Sequence, residues 1–109
     1  MIIGKKVHVI IDRPKGSAHP KYESLIYEAN YGYVPGILGG DGEEQDAYVL
    51  GIDEPIEEFF GVVIAIIHRR DDNETKWVVA PEGKGFTDEE IKQKVNFQEK
   101  YFDTAIIRK

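Results

Sequence analysis

The run of residues 61–67, Gly-Val-Val-Ile-Ala-Ile-Ile, constrains the fold of this chain most, because it contains no polar side chain. A β-branched run of this length predicts a strand that is apolar on both faces, and such a strand lies in the centre of a sheet. The polar residues 69–75 then predict a turn, and residues 76–80 predict its antiparallel partner strand. The sequence therefore indicates a sheet built around this hairpin.

Other segments add short strands and one helix. Residues 7–11 and 47–52 predict two more strands, and residues 22–28 predict a short extended piece. Turns are predicted at the intervening positions Gly32, Pro35, Gly36, Gly39 and Gly40. Short strands separated by turns indicate a small barrel or a curled antiparallel sheet.

The last third of the sequence predicts a C-terminal helix. Thr87 and Glu90 have the spacing of a capping box, in which each side chain bonds the other residue's backbone N–H. Ile91, Val95 and Gln98 follow at helical spacing, with Phe102 continuing the pattern, so the helix is expected to pack on the sheet. The predicted fold class is α+β, mainly β.

Length and composition narrow the class of protein. A chain of 109 residues with 41% hydrophobic residues predicts one soluble domain over residues 1–109. The absence of Cys excludes disulfides and thiolate chemistry. No apolar run approaches the roughly 20 residues of a membrane span, so we expect a cytoplasmic protein without a membrane partner.

Acidic residues concentrate in the middle of the chain. Residues 41–75 contain 11 acids and 2 bases, whereas residues 76–109 contain 6 acids and 7 bases. A protein that grips a nucleic-acid backbone is expected to carry a basic stripe instead. We therefore expect no nucleic-acid partner.

Two acidic loops are candidate metal sites. Asp41, Glu43 and Asp46 form the first loop, and Asp71 and Glu74 belong to the second. The first loop lacks the Gly and Glu positions of a calcium-binding EF-hand. If the loops meet, Asp41, Asp46, Asp71 and Glu74 could surround two or more magnesium ions; alternatively, each loop is a solvated acidic turn.

Several other polar side chains admit two interpretations. Lys21 and Glu23 alternate along the predicted extended piece, where they could face a site or form a surface ion pair. Tyr31 and Tyr101 could bind a ligand or act as core aromatics with a polar tip. The three His residues lack metal-ligand spacing.

Taken in order, these motifs resemble the soluble, magnesium-dependent inorganic pyrophosphatases of the barrel type. The resemblance rests on the Asn-Tyr-Gly-Tyr sequence at residues 30–33, the Asp-Gly-x-x-x-Asp loop at residues 41–46 and the acidic hairpin that ends in Lys76. It extends from Asp12 to Tyr101. It implies an OB-like five-stranded barrel with a flanking helix, and hydrolysis of pyrophosphate to two phosphates by a metal-activated water.

The resemblance also implies roles for individual residues. Glu43 falls at the position that orients or deprotonates the attacking water, and Asp46 falls between the metals. The implied metal ligands are Asp41, Asp46, Asp71 and Glu74. The implied phosphate ligands are Lys21, Tyr31, Lys76 and Tyr101, with Asp12 and Glu23 as outer acidic residues. The implied cofactor is Mg2+, with Mn2+ as the alternative, and the implied assembly is a homo-oligomer.

The chain departs from the family pattern in its cationic residues. The segment between Glu23 and Tyr31 lacks the hairpin that carries a phosphate-binding Arg, for which Arg13, Arg69 or Arg70 could substitute. Phe102 occupies the position of a second phosphate-binding Lys. Two further functions therefore stay open: hydrolysis of another diphosphate, and binding of metal and phosphate without catalysis.

Overall fold

The computed structural model describes residues 2–108 and contains a closed five-stranded β-barrel. The elements in chain order are β1 (Lys6–Arg13), β2 (Asn30–Leu38), β3 (Glu44–Val49), β4 (Glu58–Arg69), β5 (Thr75–Ala80), α1 (Asp88–Glu99) and β6 (Thr104–Ile107). The fold is mainly β, as predicted, and it is consistent with an OB-like barrel.

The barrel closes because β1 pairs with two strands. Neighbouring strands follow the order β1-β2-β3-β5-β4, and β1 also pairs antiparallel with β4, with Lys6 opposite Val62. The pair β3 and β5 is parallel, whereas the other barrel pairs are antiparallel. The sixth strand, β6, extends β4 outside the barrel.

The central strand β4 is apolar on both faces because each face packs against a separate core. A register shift between Val63 and Ala65 forms a bulge, so that Ile64 and Ala65 both contact the core beneath the helix. The barrel-interior core contains Val9, Ile11, Val34, Ala47, Val49, Val63, Trp77 and Val79. The helix-facing core contains Tyr27, Ala29, Tyr31, Tyr48, Leu50, Ala65, Ile67, Val78, Ala80, Phe86, Ile91, Val95 and Phe97.

The predicted turn around Gly32 is wrong, since this glycine lies inside β2. A Cβ atom on Gly32 would lie 1.8 Å from the Ile10 carbonyl oxygen, so only glycine allows β1 and β2 to approach this closely. Gly36 has a φ of +80° within the irregular part of β2 that follows Val34. These residues therefore bend a strand without ending it.

Other boundaries also differ from the sequence prediction. The strand β3 begins at Glu44 and ends at Val49, which is earlier than the predicted residues 47–52. Residues 22–28 form no regular strand; a turn in which the Leu25 N–H donates to the Tyr22 carbonyl precedes an isolated bridge between Ala18 and Ile26. The alternation predicted for Lys21 and Glu23 is consequently wrong.

The helix begins as predicted but ends at Glu99, so Phe102 lies beyond it and does not continue the helical pattern. The Thr87 side chain accepts from the Glu90 N–H at 3.1 Å, and the Glu90 carboxylate accepts from the Thr87 N–H at 2.9 Å. Ile91 and Val95 are buried in the helix-facing core. No helix within residues 2–108 is both long and apolar enough to cross a membrane.

Candidate active site

A cavity of about 680 Å3 lies where the barrel meets the end of α1 and the loop of residues 19–25. All five barrel strands contribute residues to it, because alternate side chains of each strand lie on the face of the barrel that is turned towards the helix. Its lining residues are Asp12, Arg13, His19, Tyr22, Ser24, Leu25, Tyr31, Asp46, Arg69, Lys76, Gln98, Tyr101 and Phe102. The site is thus assembled from residues that are distant in sequence.

Three basic side chains line this cavity beside two carboxylates. Arg69 and Lys76 are only 5% and 4% exposed, and Arg13 is half-buried. The carboxylates are Asp12 and Asp46. Burying cations is costly unless carboxylates or hydrogen bonds compensate, so each cation needs a fixed partner.

Lys76 is held by two carboxylates. Its Nζ donates to Asp46 Oδ2 at 2.5 Å and to Glu74 Oε1 at 3.3 Å. Glu74 also accepts from Arg69 Nη1 at 3.4 Å, so one carboxylate joins the two cations. This arrangement fixes the ammonium group at the cavity wall.

Arg69 is held by the helix. Its Nε and Nη2 donate to the two oxygens of Glu99 at 2.9 and 2.7 Å, and its guanidinium stacks on Phe102 at 3.7 Å from the ring centre. Burial opposes the charged form, but the hydrogen bonds and the charge of Glu99 outweigh it and raise the Arg69 pKa. Arg69 is therefore charged at every working pH.

Arg13 is held by two tyrosine side chains. Its Nη1 donates to the Tyr27 hydroxyl at 2.5 Å, and its guanidinium lies 5.6 and 5.7 Å from the ring centres of Tyr27 and Tyr31. Burial acts against the charge, but the Tyr27 hydrogen bond raises the Arg13 pKa overall. This contact orients the Arg13 guanidinium. Arg13 is one of the three arginines that could substitute for the missing phosphate-binding Arg.

One hydrogen-bond network connects the three cations. The Tyr27 hydroxyl donates to Gln98 Oε1 at 2.7 Å, and Gln98 Nε2 donates to the Tyr48 hydroxyl at 2.7 Å. The Tyr48 hydroxyl donates to Glu99 Oε2 at 2.5 Å, and so the path reaches Arg69. The network comprises Arg13, Tyr27, Gln98, Tyr48, Glu99, Arg69, Glu74, Lys76 and Asp46.

Two tyrosines, Tyr48 within the network and Tyr31 beside it, are protonated at neutral pH. Burial, followed by the charge of Asp46, raises the pKa of Tyr31 well above its ordinary value. Burial and the charge of Glu99 do the same for the pKa of Tyr48. Both hydroxyl groups therefore keep a proton to donate.

The structure brings together five of the side chains predicted from the sequence. These cavity-lining residues are Asp12, Tyr31, Asp46, Lys76 and Tyr101. Glu74 reaches the cavity indirectly, through Lys76 and Arg69. The cluster combines cations, tyrosines and acids at one side of the barrel.

The remaining predicted residues lie on exposed loops. Asp41 accepts from the Glu43 N–H at 3.0 Å within its own loop, and Asp71 accepts from the Asp103 N–H at 3.3 Å. The N–H of Lys21 donates to His19 Nδ1 at 3.0 Å, and Glu23 lies in the adjacent turn. None of these side chains lines the cavity within the described residues.

Within residues 2–108, no three His, Asp or Glu side chains gather as a preformed metal cluster. Asp12 and Asp46 do lie close enough to interact: lost hydration raises the pKa of Asp12, Arg13 opposes this, and the Asp46 charge adds to the rise. Magnesium typically binds one or two protein carboxylates together with phosphate oxygens and water. Within the described residues, the cavity therefore offers two carboxylates, Asp12 and Asp46, and no preformed set of three metal ligands.

Sequence reasoning missed the residues that hold Arg13 and Arg69. Tyr27, Tyr48, Gln98 and Glu99 carried no motif, although Gln98 was placed on the buried face of the helix. Arg70, one of the three proposed arginines, is exposed and lies 3.4 Å from Asp103, outside the cavity. Glu99 could have been recognised from its spacing, because it lies four residues after Val95 and so places a charge on the buried face of the helix.

Fold and cavity together define an OB-like barrel with a cationic, tyrosine-lined site. No protein-family model matches the sequence, and no curated protein matches it.

Several solved structures with this fold are inorganic pyrophosphatases. The enzyme from Ehrlichia chaffeensis superposes with a TM-score of 0.70 at 17% identity, over 94% of this chain and 84% of the other. The enzyme from Neisseria gonorrhoeae gives 0.66 at 23% identity, over 90% and 74%. The enzyme from Helicobacter pylori gives 0.66 at 18% identity, over 100% and 85%. The chain therefore has the pyrophosphatase fold, as the sequence motifs predicted.

Proposed function

We propose that this protein hydrolyses inorganic pyrophosphate with Mg2+ as cofactor, in the cavity between the barrel and α1. The observation that carries the proposal is the convergence of Arg13, Arg69 and Lys76 on one cavity in a fold shared with inorganic pyrophosphatases. Pyrophosphate is a small, highly charged anion, and guanidinium and ammonium groups are its natural protein ligands.

The three cations bind and orient the substrate. Arg13 and Arg69 present planar guanidinium groups that can contact two phosphate oxygens each, whereas Lys76 acts as a compact charge. Because the network fixes their positions before binding, little side-chain entropy is lost on contact. Preorganised donors of this kind stabilise the charge that develops on transferring phosphoryl groups.

Asp12 and Asp46 would hold the magnesium ion together with the substrate's phosphate oxygens. When bound, Mg2+ supplies a positive charge that polarises phosphoryl oxygens and lowers the pKa of a bound water. Asp46 has a second task, since it accepts a hydrogen bond from Lys76. Lys76 would contact phosphate from the cavity wall, where Asp46 and Glu74 hold its ammonium group.

Other assignments from the sequence are also proposals. Tyr31 and Tyr101 would contact phosphate from the cavity wall. Glu43 would orient the attacking water if its loop, which also carries Asp41, approaches the cavity. Asp41, Asp71, Lys21 and Glu23 would act only if their loops approach the cavity. We also propose a cytoplasmic homo-oligomer.

The test is phosphate release from pyrophosphate by the purified protein, with and without Mg2+. Release that requires Mg2+ and that Lys76→Met reduces by at least about a hundredfold would support the proposal. Lys6→Met is the matched control, because Lys6 is exposed and pairs with Glu82 outside the cavity. Absence of release at every Mg2+ or Mn2+ concentration would refute hydrolysis.

One observation favours a second function, which is binding of phosphate without catalysis. Each cavity cation already has a hydrogen-bond partner, and no carboxylate cluster for two metals is formed within residues 2–108. Calorimetric titration with pyrophosphate distinguishes the two functions: tight binding without phosphate release would identify a binding protein.

A further inference from the structure

The cavity has two chemically different parts. Arg69, Lys76 and Tyr31 form its buried part and are each at most 6% exposed. Its outer part includes Tyr22 and Tyr101, which are 62% and 64% exposed. The side chains of this outer part, which we call the aromatic rim, are His19, Tyr22, Tyr101 and Phe102.

The aromatic rim is arranged around the opening by contacts within the protein. The rings of His19 and Tyr22 lie 5.1 Å apart, and His19 stacks on Tyr27 at 6.2 Å. Phe102 lies against the Arg69 guanidinium and so connects the rim to the cationic part. Burial, Arg13 and Lys21 lower the pKa of His19, and its ring is therefore uncharged at neutral pH.

The size of the cavity exceeds what pyrophosphate needs. Pockets of roughly 300–1,000 Å3 enclose drug-sized ligands, and this cavity of about 680 Å3 is in that range. Pyrophosphate is far smaller than such a ligand and has no apolar surface to place against aromatic rings. The outer part of the cavity would therefore stay solvated if pyrophosphate were the whole substrate.

We infer that the site accepts an organic diphosphate whose organic group carries an aromatic ring, such as a nucleoside diphosphate. This inference rests on the proposed function, because it assigns the diphosphate to Arg13, Arg69 and Lys76. The ring then stacks on the aromatic rim, where exposed tyrosines offer faces that every nucleobase can use.

Hydrolysis of such a substrate balances with water alone. The water oxygen forms a bond to the terminal phosphorus, and the bond from that phosphorus to the bridging oxygen breaks. The bridging oxygen leaves with the electron pair on the organic monophosphate. The products are inorganic phosphate and that monophosphate, and the proton released by the water passes to solvent.

Two measurements test this inference with Mg2+ present. Calorimetric titration with α,β-methylene-ADP, which cannot be hydrolysed at the bridging position, measures binding of a nucleoside diphosphate. Phosphate release from ADP and from pyrophosphate measures turnover. We expect the analogue to bind and ADP to be cleaved.

The Tyr22→Ala variant should weaken binding of the analogue about tenfold more than binding of pyrophosphate, because only the analogue carries a ring that can stack. Tyr22→Phe should retain binding, since it keeps the ring. Phe60→Ala is the matched control: Phe60 is 70% exposed and stacks on His8 outside this cavity.

The outcomes separate this inference from the proposed function. Binding and turnover of pyrophosphate without binding of the analogue would overturn the inference and leave the proposed function standing. If Tyr22→Ala weakened binding of both ligands equally, the inference would also be overturned, because Tyr22 would then make no stacking contact with the ring of the analogue. Failure of both ligands to bind would refute the proposed function as well.

Discussion

Asp46 is the single residue on which the candidate site depends most. It lines the cavity, accepts from Lys76 at 2.5 Å and lies beside Asp12. Its carboxylate therefore affects both Lys76, which we propose binds phosphate, and the pair of acids that would hold Mg2+. Sequence motifs proposed this residue as a metal ligand, and the structure places it in the cavity wall.

Asp46→Asn should abolish phosphate release from pyrophosphate and weaken binding of Mg2+, because the amide carries no charge for the metal and no longer neutralises Lys76. The assays are phosphate release and calorimetric titration with Mg2+. Asp53→Asn is the control, since the Asp53 side chain is 90% exposed and pairs only loosely with Lys15, at 3.8 Å. Turnover at the wild-type rate would contradict the assignment of Asp46.

Glu99 is the residue that the stability of the site depends on. Glu99→Gln should lower the free energy of unfolding by about 3 kcal/mol, because it leaves the buried Arg69 guanidinium without its bidentate carboxylate partner. Urea denaturation measures the change. The exposed Glu28 supplies the control Glu28→Gln, whose free energy of unfolding should stay within about 0.5 kcal/mol of wild type.

If Glu99→Gln unfolds at the wild-type urea concentration, Arg69 does not depend on the helix. This result would also mean that Glu99 does not hold the Arg69 guanidinium in its position in the cavity. A loss of activity without a loss of stability would assign Glu99 a role in orientation alone.

At the level of elements, the sequence predicted strands with apolar runs and missed those without them. It identified β1, β4, β5 and α1, since each has a local pattern or cap, and it found β3 with shifted bounds. It missed β2 because Gly32 predicts a turn by sequence alone. Glycine is required there because the Ile10 carbonyl oxygen of β1, which is distant in sequence, lies too close for a side chain. It missed β6, which has only 4 residues and is defined by pairing with β4.

The close approach of β1 and β2 makes Gly32 essential. Gly32→Ala should lower the free energy of unfolding by about 3 kcal/mol or prevent folding, because the added methyl group would overlap the Ile10 backbone. Thermal unfolding followed by circular dichroism measures this. Gly40→Ala is the control, since a Cβ there meets no atom within 4 Å; similar melting of both variants would contradict the predicted clash.

The capping box of α1 should contribute measurably to stability. Thr87→Ala should cost about 1 kcal/mol of unfolding free energy, because the Glu90 N–H loses its acceptor. The exposed Lys92, in the middle of the helix, supplies the control Lys92→Ala. Equal urea midpoints for Thr87→Ala and wild type would show that the cap contributes nothing.

The capping box also predicts a pH dependence. Hydrogen bonds from Thr87 lower the pKa of Glu90 below its ordinary value. The stabilisation by ionised Glu90 is therefore complete above the unfolded pKa of about 4.3 and is lost as the pH falls through the lower folded pKa. The stability difference between wild type and Glu90→Gln should shrink over that acidic interval.

At the level of the whole molecule, the sequence predicted the fold better than the site. Strand and helix patterns are local, whereas the hydrogen-bond network joins side chains as far apart in sequence as Tyr27 and Gln98. Motif order located Asp46, Tyr31 and Lys76. The partners that orient the arginines became visible only when the helix was placed against the barrel.

Exposed apolar side chains support the proposal of a homo-oligomer. Leu38 and Phe60 are 69% and 70% exposed, and covering them would remove apolar surface from water. Analytical ultracentrifugation over a dilution series should show a species larger than 12.4 kDa that dissociates on dilution. A monomer at every concentration would refute the proposal. Leu38→Glu should favour the monomer, and Glu54→Gln, at an exposed polar position, serves as control.

The pairing of β1 with β4 also has a consequence for how the chain folds during synthesis. Lys6 finds its partner Val62 only after more than half of the chain has left the ribosome. Until then, β1 has one unpaired edge, and nascent edges of this kind are open to association with other chains. Because the closing contact joins distant parts of the sequence, barrel closure should be a late and slow folding step.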